Sequence, residues 1–204
     1  MGVRLFIGGS RLNAVSSQMS LEQRTVTTEM EHWDNIGLTP AEVQLSDWSD
    51  RWEMLFRIES DRIVAACDEL DVSVEHIGST SIPGASSRPV IDIMIGVDHI
   101  RDSGTLIEPL KGIGYKCHGE NGVPGRRHFT RSVDRRCLVN LQMFPVDSEH
   151  WNRAMLLRDR LRSDSELLQQ YIELKSELQS RFPDNPAEYQ VGKAAFEESV
   201  CADG

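Results

Sequence analysis

The sequence lacks any long hydrophobic run. Its longest apolar stretch, VIDIMIGV from Val90 to Val97, is far shorter than the roughly 20 apolar residues that a membrane-spanning helix needs. The N-terminal MGVRLFIGGSRLNAVSS has a single arginine before a very short apolar run, which is too weak for a secretory signal. We therefore expect no membrane association and a cytoplasmic location.

Closely spaced cysteines are also missing. The four cysteines, Cys67, Cys117, Cys137 and Cys201, are scattered and form no CxxC motif. This spacing excludes the usual zinc-binding motifs, and in a reducing compartment it predicts free thiols. Cys117 and Cys137 lack a convincing neighbouring base in the sequence, which disfavours a cysteine nucleophile.

Positive charge is scarce. The chain has 22 Lys and Arg against 32 Asp and Glu, for a net charge of -10, which disfavours nucleic acid as a partner because that attraction depends on clustered cations. One basic cluster nevertheless occurs, formed by Arg126, Arg127, Arg131, Arg135 and Arg136. This local positive field predicts an anionic small molecule or a nucleotide as the partner.

The length of 204 residues suits one domain with a full core. Residues 1–40 show no sustained hydrophobic period, so we interpret them as an N-terminal extension of undefined order, with residues 41–204 forming the domain. Neither the role of the extension nor the oligomeric state follows from the sequence.

Hydrophobic periodicity predicts the elements of the domain. A helix is expected from Ser49 onward, with an inward face formed by Trp52, Leu55, Phe56, Ile63, Val64 and Cys67. Strands are expected at DVSVEHIG, at PVIDIMIGV and at RCLVNLQMF, and helices follow from Glu149 to the end, with Ser163 and Ser165 as candidate N-caps. This order predicts an α+β domain with a small mixed sheet and helices packed on it.

The segment EHIGSTSIPG, between the first two predicted strands, is the first candidate site. Gly78, Ser79, Thr80 and Ser81 are either an ordinary loop or a turn that offers N–H and O–H donors to a phosphate. His76 precedes this turn, either as a hydrogen-bonded strand histidine or as a proton shuttle.

Asp92 stands alone among branched aliphatic residues in the second predicted strand. Because an isolated buried carboxylate is unfavourable, it requires a cation or hydrogen-bond donors. A functional site is one reading, and a salt bridge to Arg88, Arg126 or Arg127 is the structural alternative.

Three further groups of polar residues are candidates for the site. In GVPGRRHF, Arg126, Arg127 and His128 lie either on a solvated hairpin tip or face a phosphate or carboxylate. Arg158 shares a helix face with Arg162, either as a salt-bridged surface or as a basic stripe toward a ligand. Lys193, four residues after Tyr189, is a packed lysine with a solvated amine unless it contacts a ligand.

Several of these segments together resemble the GrpB family, which is related to the nucleotidyltransferase fold. They are EHIGSTSIPG, RPVIDIMIGV, GVPGRRHF, LLRDRLR, YIELKSEL and the pair Tyr189 and Lys193, in the same order and spacing from about Gln44 to Val200. The resemblance implies a phosphate-holding turn at Gly78, Ser79 and Thr80, Mg²⁺ at Asp92, and a phosphate contact at Lys193. The chemistry is consistent with these roles, because a glycine lets the backbone approach a phosphate closely and an aspartate offers the hard oxygen ligands that Mg²⁺ prefers.

Two departures from the family pattern bear on function. Active nucleotidyltransferases usually have an acid-x-acid motif, whereas here Met94 takes the second position; and where many GrpB proteins have His-x-His, this chain has Asn140 and Gln142. Amides are weak metal ligands and cannot act as general bases near neutral pH. Their presence disfavours phosphoryl transfer by a two-metal mechanism.

The sequence therefore leaves three functions open. The first is transfer of a nucleotidyl or related group to a small acceptor, with Asp92 as the catalytic residue and His76 assisting it. The second is a metal-free binding or accessory protein, which the amides Asn140 and Gln142 favour as ligand-selective contacts. The third is a divergent enzyme acting on a polar, amino-acid-like substrate.

Overall fold

The structure is a computed structural model that describes residues 33–67 and 72–202. Most of the predicted N-terminal extension lies outside these ranges, so its boundary near residue 40 stays a prediction. From Asn35 onward the described residues form one compact unit. Within the described ranges, no helix has the length and apolar character required to span a membrane.

The described residues form a mixed sheet of five strands in the order β1-β2-β5-β4-β3. The strands are β1 Ser73–Ile77, β2 Ile91–Val97, β3 Tyr115–Cys117, β4 Arg127–Val133 and β5 Arg136–Pro145. Strands β2 and β5 pair in parallel, and the other neighbours pair antiparallel. The predicted α+β class with a small mixed sheet is confirmed.

Helices cover both faces of this sheet. They are α1 Arg51–Ala66, α2 Ile107–Gly112, α3 Glu149–Ser163, α4 Ser165–Arg181 and α5 Pro186–Ala202, and 3₁₀ turns occur at Ser79–Ser81 and Ile100–Gly104. On one face, Trp151 of α3 packs with Ile77, Met94 and Phe144. On the other face, Glu59 of α1 contacts β4. The alternation of side chains along each strand therefore assigns every strand residue to one of the two faces of the sheet.

The inward face of α1 follows the predicted period with one exception. Trp52, Leu55, Ile63 and Cys67 are buried. Val64 is 49% exposed, so its predicted inward position is wrong. The buried stripe continues from Leu55 to Ile63 in steps of four residues, and Val64 lies about 100° round the helix from Ile63.

A second correction concerns helix ends. Asp164, and neither Ser163 nor Ser165, is the N-cap of α4, because its carboxylate accepts hydrogen bonds from the N–H groups of Glu166 and Leu167. Pro186 begins α5. A proline is compatible with the first helical turn because its missing N–H would have had no acceptor there.

An ion pair that the sequence patterns do not indicate is buried beneath α1. Glu59 is fully buried, and its carboxylate accepts hydrogen bonds from Arg131 at 2.8 and 2.9 Å. Tyr115 donates to the same carboxylate at 2.8 Å, and Arg62 donates at 3.0 Å. A buried carboxylate with this many donors is stable only while they all remain.

We predict that Glu59→Ala lowers the free energy of unfolding by about 3–5 kcal/mol, because it leaves the Arg131 guanidinium buried without its partner. Urea denaturation would measure the change. As a control, Glu108→Ala removes a carboxylate that is 79% exposed and paired with Lys111, and it should change stability by less than about 1 kcal/mol. Equal stability of the two variants would contradict a structural role for Glu59.

Candidate functional site

A cavity of about 220 Å³ lies beside the 3₁₀ turn that follows β1. Its floor is the sheet face that carries Ile77, Asp92 and Asn140, and helices α3, α4 and α5 contribute its walls. The predicted site residues that line it are Gly78, Ser79, Thr80, Asp92, Asn140, Gln142, Arg158 and Lys193. The structure thus brings together eight predicted residues that are spread over more than a hundred positions of the chain.

Gly78 and Asp92 are in direct contact. Gly78 has a φ of 68°, and a Cβ at this position would lie 2.6 Å from Asp92 Oδ2. The turn closes on the Gly78 carbonyl oxygen, which accepts from the N–H and, at 2.7 Å, from the hydroxyl of Ser81. The N–H groups of Ser79 and Thr80 precede the first hydrogen bond of the turn, so the turn itself provides no acceptor for them.

Within the described residues, Asp92 accepts one strong hydrogen bond, and it lines the cavity. Asn140 Nδ2 donates to its Oδ1 at 2.7 Å. Burial raises the pKa of the Asp92 carboxyl, while the Asn140 hydrogen bond and the charge of Arg88 act in the opposite direction. Among the described residues, Asp92 forms no salt bridge with Arg88, Arg126 or Arg127, so the structural alternative for this acid is wrong.

Hydrogen bonds from residues outside the cavity fix the orientation of the Asn140 side chain. Since its NH₂ group faces Asp92, its Oδ1 accepts from His128 Nε2 at 2.6 Å. Asn121 Nδ2 then donates to His128 Nδ1 at 3.0 Å. Burial lowers the pKa of His128, which favours this neutral tautomer. His128 therefore lies behind the cavity and supports Asn140 instead of lining the cavity itself.

Arg126 and Arg127 are held by the loop before β4. Arg126 donates to Gln142 Oε1 at 3.1 Å and to the carbonyl oxygens of Asn121 and Glu120. Arg127 donates to the Arg126 carbonyl and lies 3.8 Å from the Glu120 carboxylate. Neither arginine is part of the cavity lining, and their role toward an anion stays a prediction.

His76 lies on the opposite sheet face from Asp92. Its Nε2 lies 3.1 Å from Thr80 Oγ1 and its Nδ1 lies 3.4 Å from Glu53 Oε2, and its ring stacks on Phe56 at 4.6 Å. Burial lowers the pKa of His76 to about 4. The histidine is therefore neutral near pH 7 and holds Thr80 against α1, while its role as a proton shuttle stays a prediction.

Arg158 and Arg162 connect α3 to the two ends of the turn. Arg158 Nη1 donates to Glu75 Oε2 at 2.7 Å and to the His76 carbonyl at 3.2 Å. Arg162 donates twice to the Ser81 carbonyl, at 2.7 and 3.0 Å. Their guanidinium groups thus position the turn, and Arg158 also contributes to the cavity wall.

The lining residues that were not predicted as site residues include Arg88, Tyr171 and Glu197. The Ser79 hydroxyl lies 3.5 Å from the Tyr171 oxygen, and Tyr171 donates to Glu197 Oε1 at 2.9 Å. Lys193 Nζ lies 3.3 Å from Glu197. The four-residue spacing of Lys193 and Glu197 on one helix was the available signal for this pair.

The cavity provides few groups for a metal ion. The described ranges hold no cluster of three or more His, Cys, Asp or Glu side chains suited to a metal ion. Asn140 turns its oxygen toward His128, and the Gln142 oxygen accepts from Arg126. Asp92 Oδ2 remains as a ligand. This donor set fits one Mg²⁺ that completes its shell with phosphate oxygens and water, and it does not fit two metal ions.

We predict that Gly78→Ala destabilises the protein by about 1–3 kcal/mol, because its methyl group meets the Asp92 carboxylate in a backbone conformation that L residues rarely adopt. Thermal and urea unfolding would measure this. Gly112→Ala is the matched control, since a Cβ there meets nothing within 4 Å in a helix. A stable Gly78→Ala protein would show that the turn can separate from Asp92.

We predict that His76 makes the protein sensitive to acid. Its pKa is about 4 when folded against an ordinary 6.5, so the unfolded chain binds the proton more tightly. Stability from this group is complete above pH 6.5 and falls by up to about 3 kcal/mol as the pH drops toward 4. Unfolding free energies of wild type and His76→Gln should converge over this window, and parallel curves would contradict the effect.

Comparison with known proteins places this chain in a family. The model of the family described as "GrpB protein" matches residues 42–203. YqkA of Bacillus subtilis is 32% identical over 151 residues, which are 74% of this chain and 44% of YqkA, so the chain spans less than half of that relative. The glutamate-rich protein GrpB of Alkalihalophilus pseudofirmus is 27% identical, with 81% of this chain and 97% of that protein covered.

A relative with a different name also matches. Dephospho-CoA kinase of Mycolicibacterium paratuberculosis is 27% identical over 177 residues, which cover 80% of this chain and 42% of the kinase. The kinase is thus more than twice as long as the region that resembles this chain.

Two solved structures define the fold relation. GrpB from Enterococcus faecalis has a TM-score of 0.72 and 27% identity, covering 78% of this chain and 96% of that chain. The Cid1 poly(U) polymerase bound to MgATP has a TM-score of 0.50 and 13% identity, covering 78% of this chain and 48% of Cid1. The predicted GrpB resemblance and the nucleotidyltransferase-like fold are both confirmed.

Proposed function

The chain belongs to the GrpB family, and we propose that it binds the phosphate groups of a nucleotide or another phosphorylated small molecule in the cavity beside Gly78. We further propose that it transfers a nucleotidyl or related group from this ligand to a small acceptor. The coarse basis is a fold related to that of nucleotidyltransferases. The specific basis lies in the residues of the cavity.

The main support is that the turn and the strand acid face one cavity. Gly78 lets the backbone approach closely, and the N–H groups of Ser79 and Thr80 have no acceptor within the turn. Such N–H groups suit a phosphate oxygen. Lys193 adds a positive charge to the same wall. The cavity therefore offers donors and charge to an anion at the point where Asp92 lines it.

Asp92 would hold one Mg²⁺ through Oδ2, with the remaining ligands from the phosphate and water. The ion, when bound, would neutralise charge on the phosphate during group transfer. Asn140 keeps the Asp92 carboxylate oriented, and Tyr171 connects Ser79 to Glu197 across the cavity. These contacts preorganise the site before a ligand enters.

A metal-free binding or accessory function is the second candidate. It is favoured by the orientation of the amides, because the oxygens of Asn140 and Gln142 are both occupied by donors from β4 and its loop. In this case the cavity selects its ligand by hydrogen bonding, and Mg²⁺ has no effect on affinity.

We predict that Asp92→Asn removes the Mg²⁺-dependent part of nucleotide affinity, at least about tenfold, because the amide no longer offers a charged oxygen ligand. Calorimetric titration with ATP and CTP, each in Mg²⁺ and in EDTA, would measure it. Dephospho-CoA belongs in the same panel because of the kinase that resembles this chain. The fold should persist, since Asn fits the space of Asp92.

The matched control is Asp98→Asn, which changes an exposed acid just after the same strand and should leave every titration unchanged. Affinity that is equal in Mg²⁺ and EDTA for wild type would favour the metal-free function. Absence of binding by the wild type to all three ligands would contradict the proposal that this cavity holds nucleotides or their phosphorylated relatives.

A further inference from the structure

Arg88 differs from the other arginines near the cavity in having no partner among the residues that the structure describes. It lies just before β2, is half-buried and lines the cavity. Among the described residues, its guanidinium makes no hydrogen bond, ion pair or ring contact. Nearby arginines are all engaged: Arg126 by the β4 loop, Arg158 by Glu75 and Asp159, and Arg162 by Ser81.

The other cations of the cavity wall are also occupied. Lys193 pairs with Glu197 at 3.3 Å and lies over the Tyr189 ring. Arg158 is held between two carboxylates at 2.7 Å each. Within the described residues, Arg88 therefore is the cation of this wall whose donors remain available to a ligand.

Arg88 and Asp92 face the same cavity without closing on each other. Burial raises the pKa of Asp92 and the charge of Arg88 opposes this shift, yet the two side chains form no salt bridge. Unpaired charges of opposite sign on one half-buried wall are unfavourable unless a third group meets them. A phosphate can satisfy both, directly at Arg88 and through a cation at Asp92.

Charge balance defines what Arg88 can do. A two-metal site places two cations against the transferred phosphate, but the carboxylates of this cavity support one. A guanidinium carries a permanent positive charge, and its planar fork donates two hydrogen bonds to phosphate oxygens. It needs no acidic ligands around it, which matches the amides Asn140 and Gln142.

We propose that Arg88 binds the phosphate of the ligand directly and supplies the positive charge that a second metal ion supplies in two-metal transferases. This inference rests on the proposed function of the cavity and adds to it the residue that recognises the anion. It implies that anion binding persists without any divalent metal, with Mg²⁺ at Asp92 strengthening it.

The test is calorimetric titration of inorganic pyrophosphate and of ATP in EDTA. Wild type should bind both. Arg88→Gln should weaken binding at least about tenfold, since it removes charge-assisted hydrogen bonds. Arg88→Lys should restore part of the affinity, because lysine keeps the charge and loses the fork. A merely structural role would not distinguish lysine from glutamine in this way.

Arg181→Gln serves as the control, because Arg181 is 61% exposed at the end of α4 and pairs with Glu177. It should bind as wild type does, and thermal unfolding should show all variants folded. Wild-type binding that Arg88→Gln retains, or that needs Mg²⁺ absolutely, would overturn the role of Arg88 alone. No binding by wild type with or without Mg²⁺ would overturn both this inference and the proposed function.

Discussion

The close approach of Gly78 to Asp92 is the constraint on which the site depends. With 2.6 Å between the position of a Cβ and Asp92 Oδ2, the turn packs against the strand with no side chain between them. Arg162 and His76 hold the turn from two sides through Ser81 and Thr80. The backbone donors of the turn and the acid therefore face the cavity side by side.

The two faces of the sheet show how the same residue type becomes structural or functional. Glu59 lies under α1 with donors from Arg131, Arg62 and Tyr115, and nothing of its carboxylate remains open. Asp92 lies under the opposite layer with one donor, Asn140, and with an oxygen toward a cavity. A saturated acid stabilises the fold, whereas an acid that retains an open side is available for chemistry.

The parts of the site that follow from local sequence were predictable. A glycine-hydroxyl turn between two strands and a lone aspartate in an apolar strand led to Gly78 and Asp92, and alternation along β5 led to Asn140 and Gln142. The arginines were harder. Their clustering in the sequence suggested Arg126 and Arg127 as contacts to an anion. In the structure, loop carbonyl oxygens accept hydrogen bonds from Arg126, and strand alternation places Arg127 on the sheet face opposite to His128.

The residues that sequence reasoning missed depend on tertiary packing. The sequence suggested Arg88 as a salt-bridge partner for Asp92, which lies four residues later. The path of the chain before β2 decides whether the Arg88 guanidinium pairs with this acid or faces the cavity. Glu197 and Tyr171 come from separate helices that meet over the turn. The hydrophobic period of a single helix does not predict this contact, because Tyr171 and Glu197 would each also fit on the surface of an ordinary helix.

The amides at Asn140 and Gln142 explain why one carboxylate can suffice. A carboxylate at position 140, within hydrogen-bond reach of Asp92, would place two negative charges together and require a metal ion to hold them. Asn140 instead donates to Asp92 and accepts from His128, so the strand pair is stable without a metal. The polar side chains of this cavity are therefore held in place by one another.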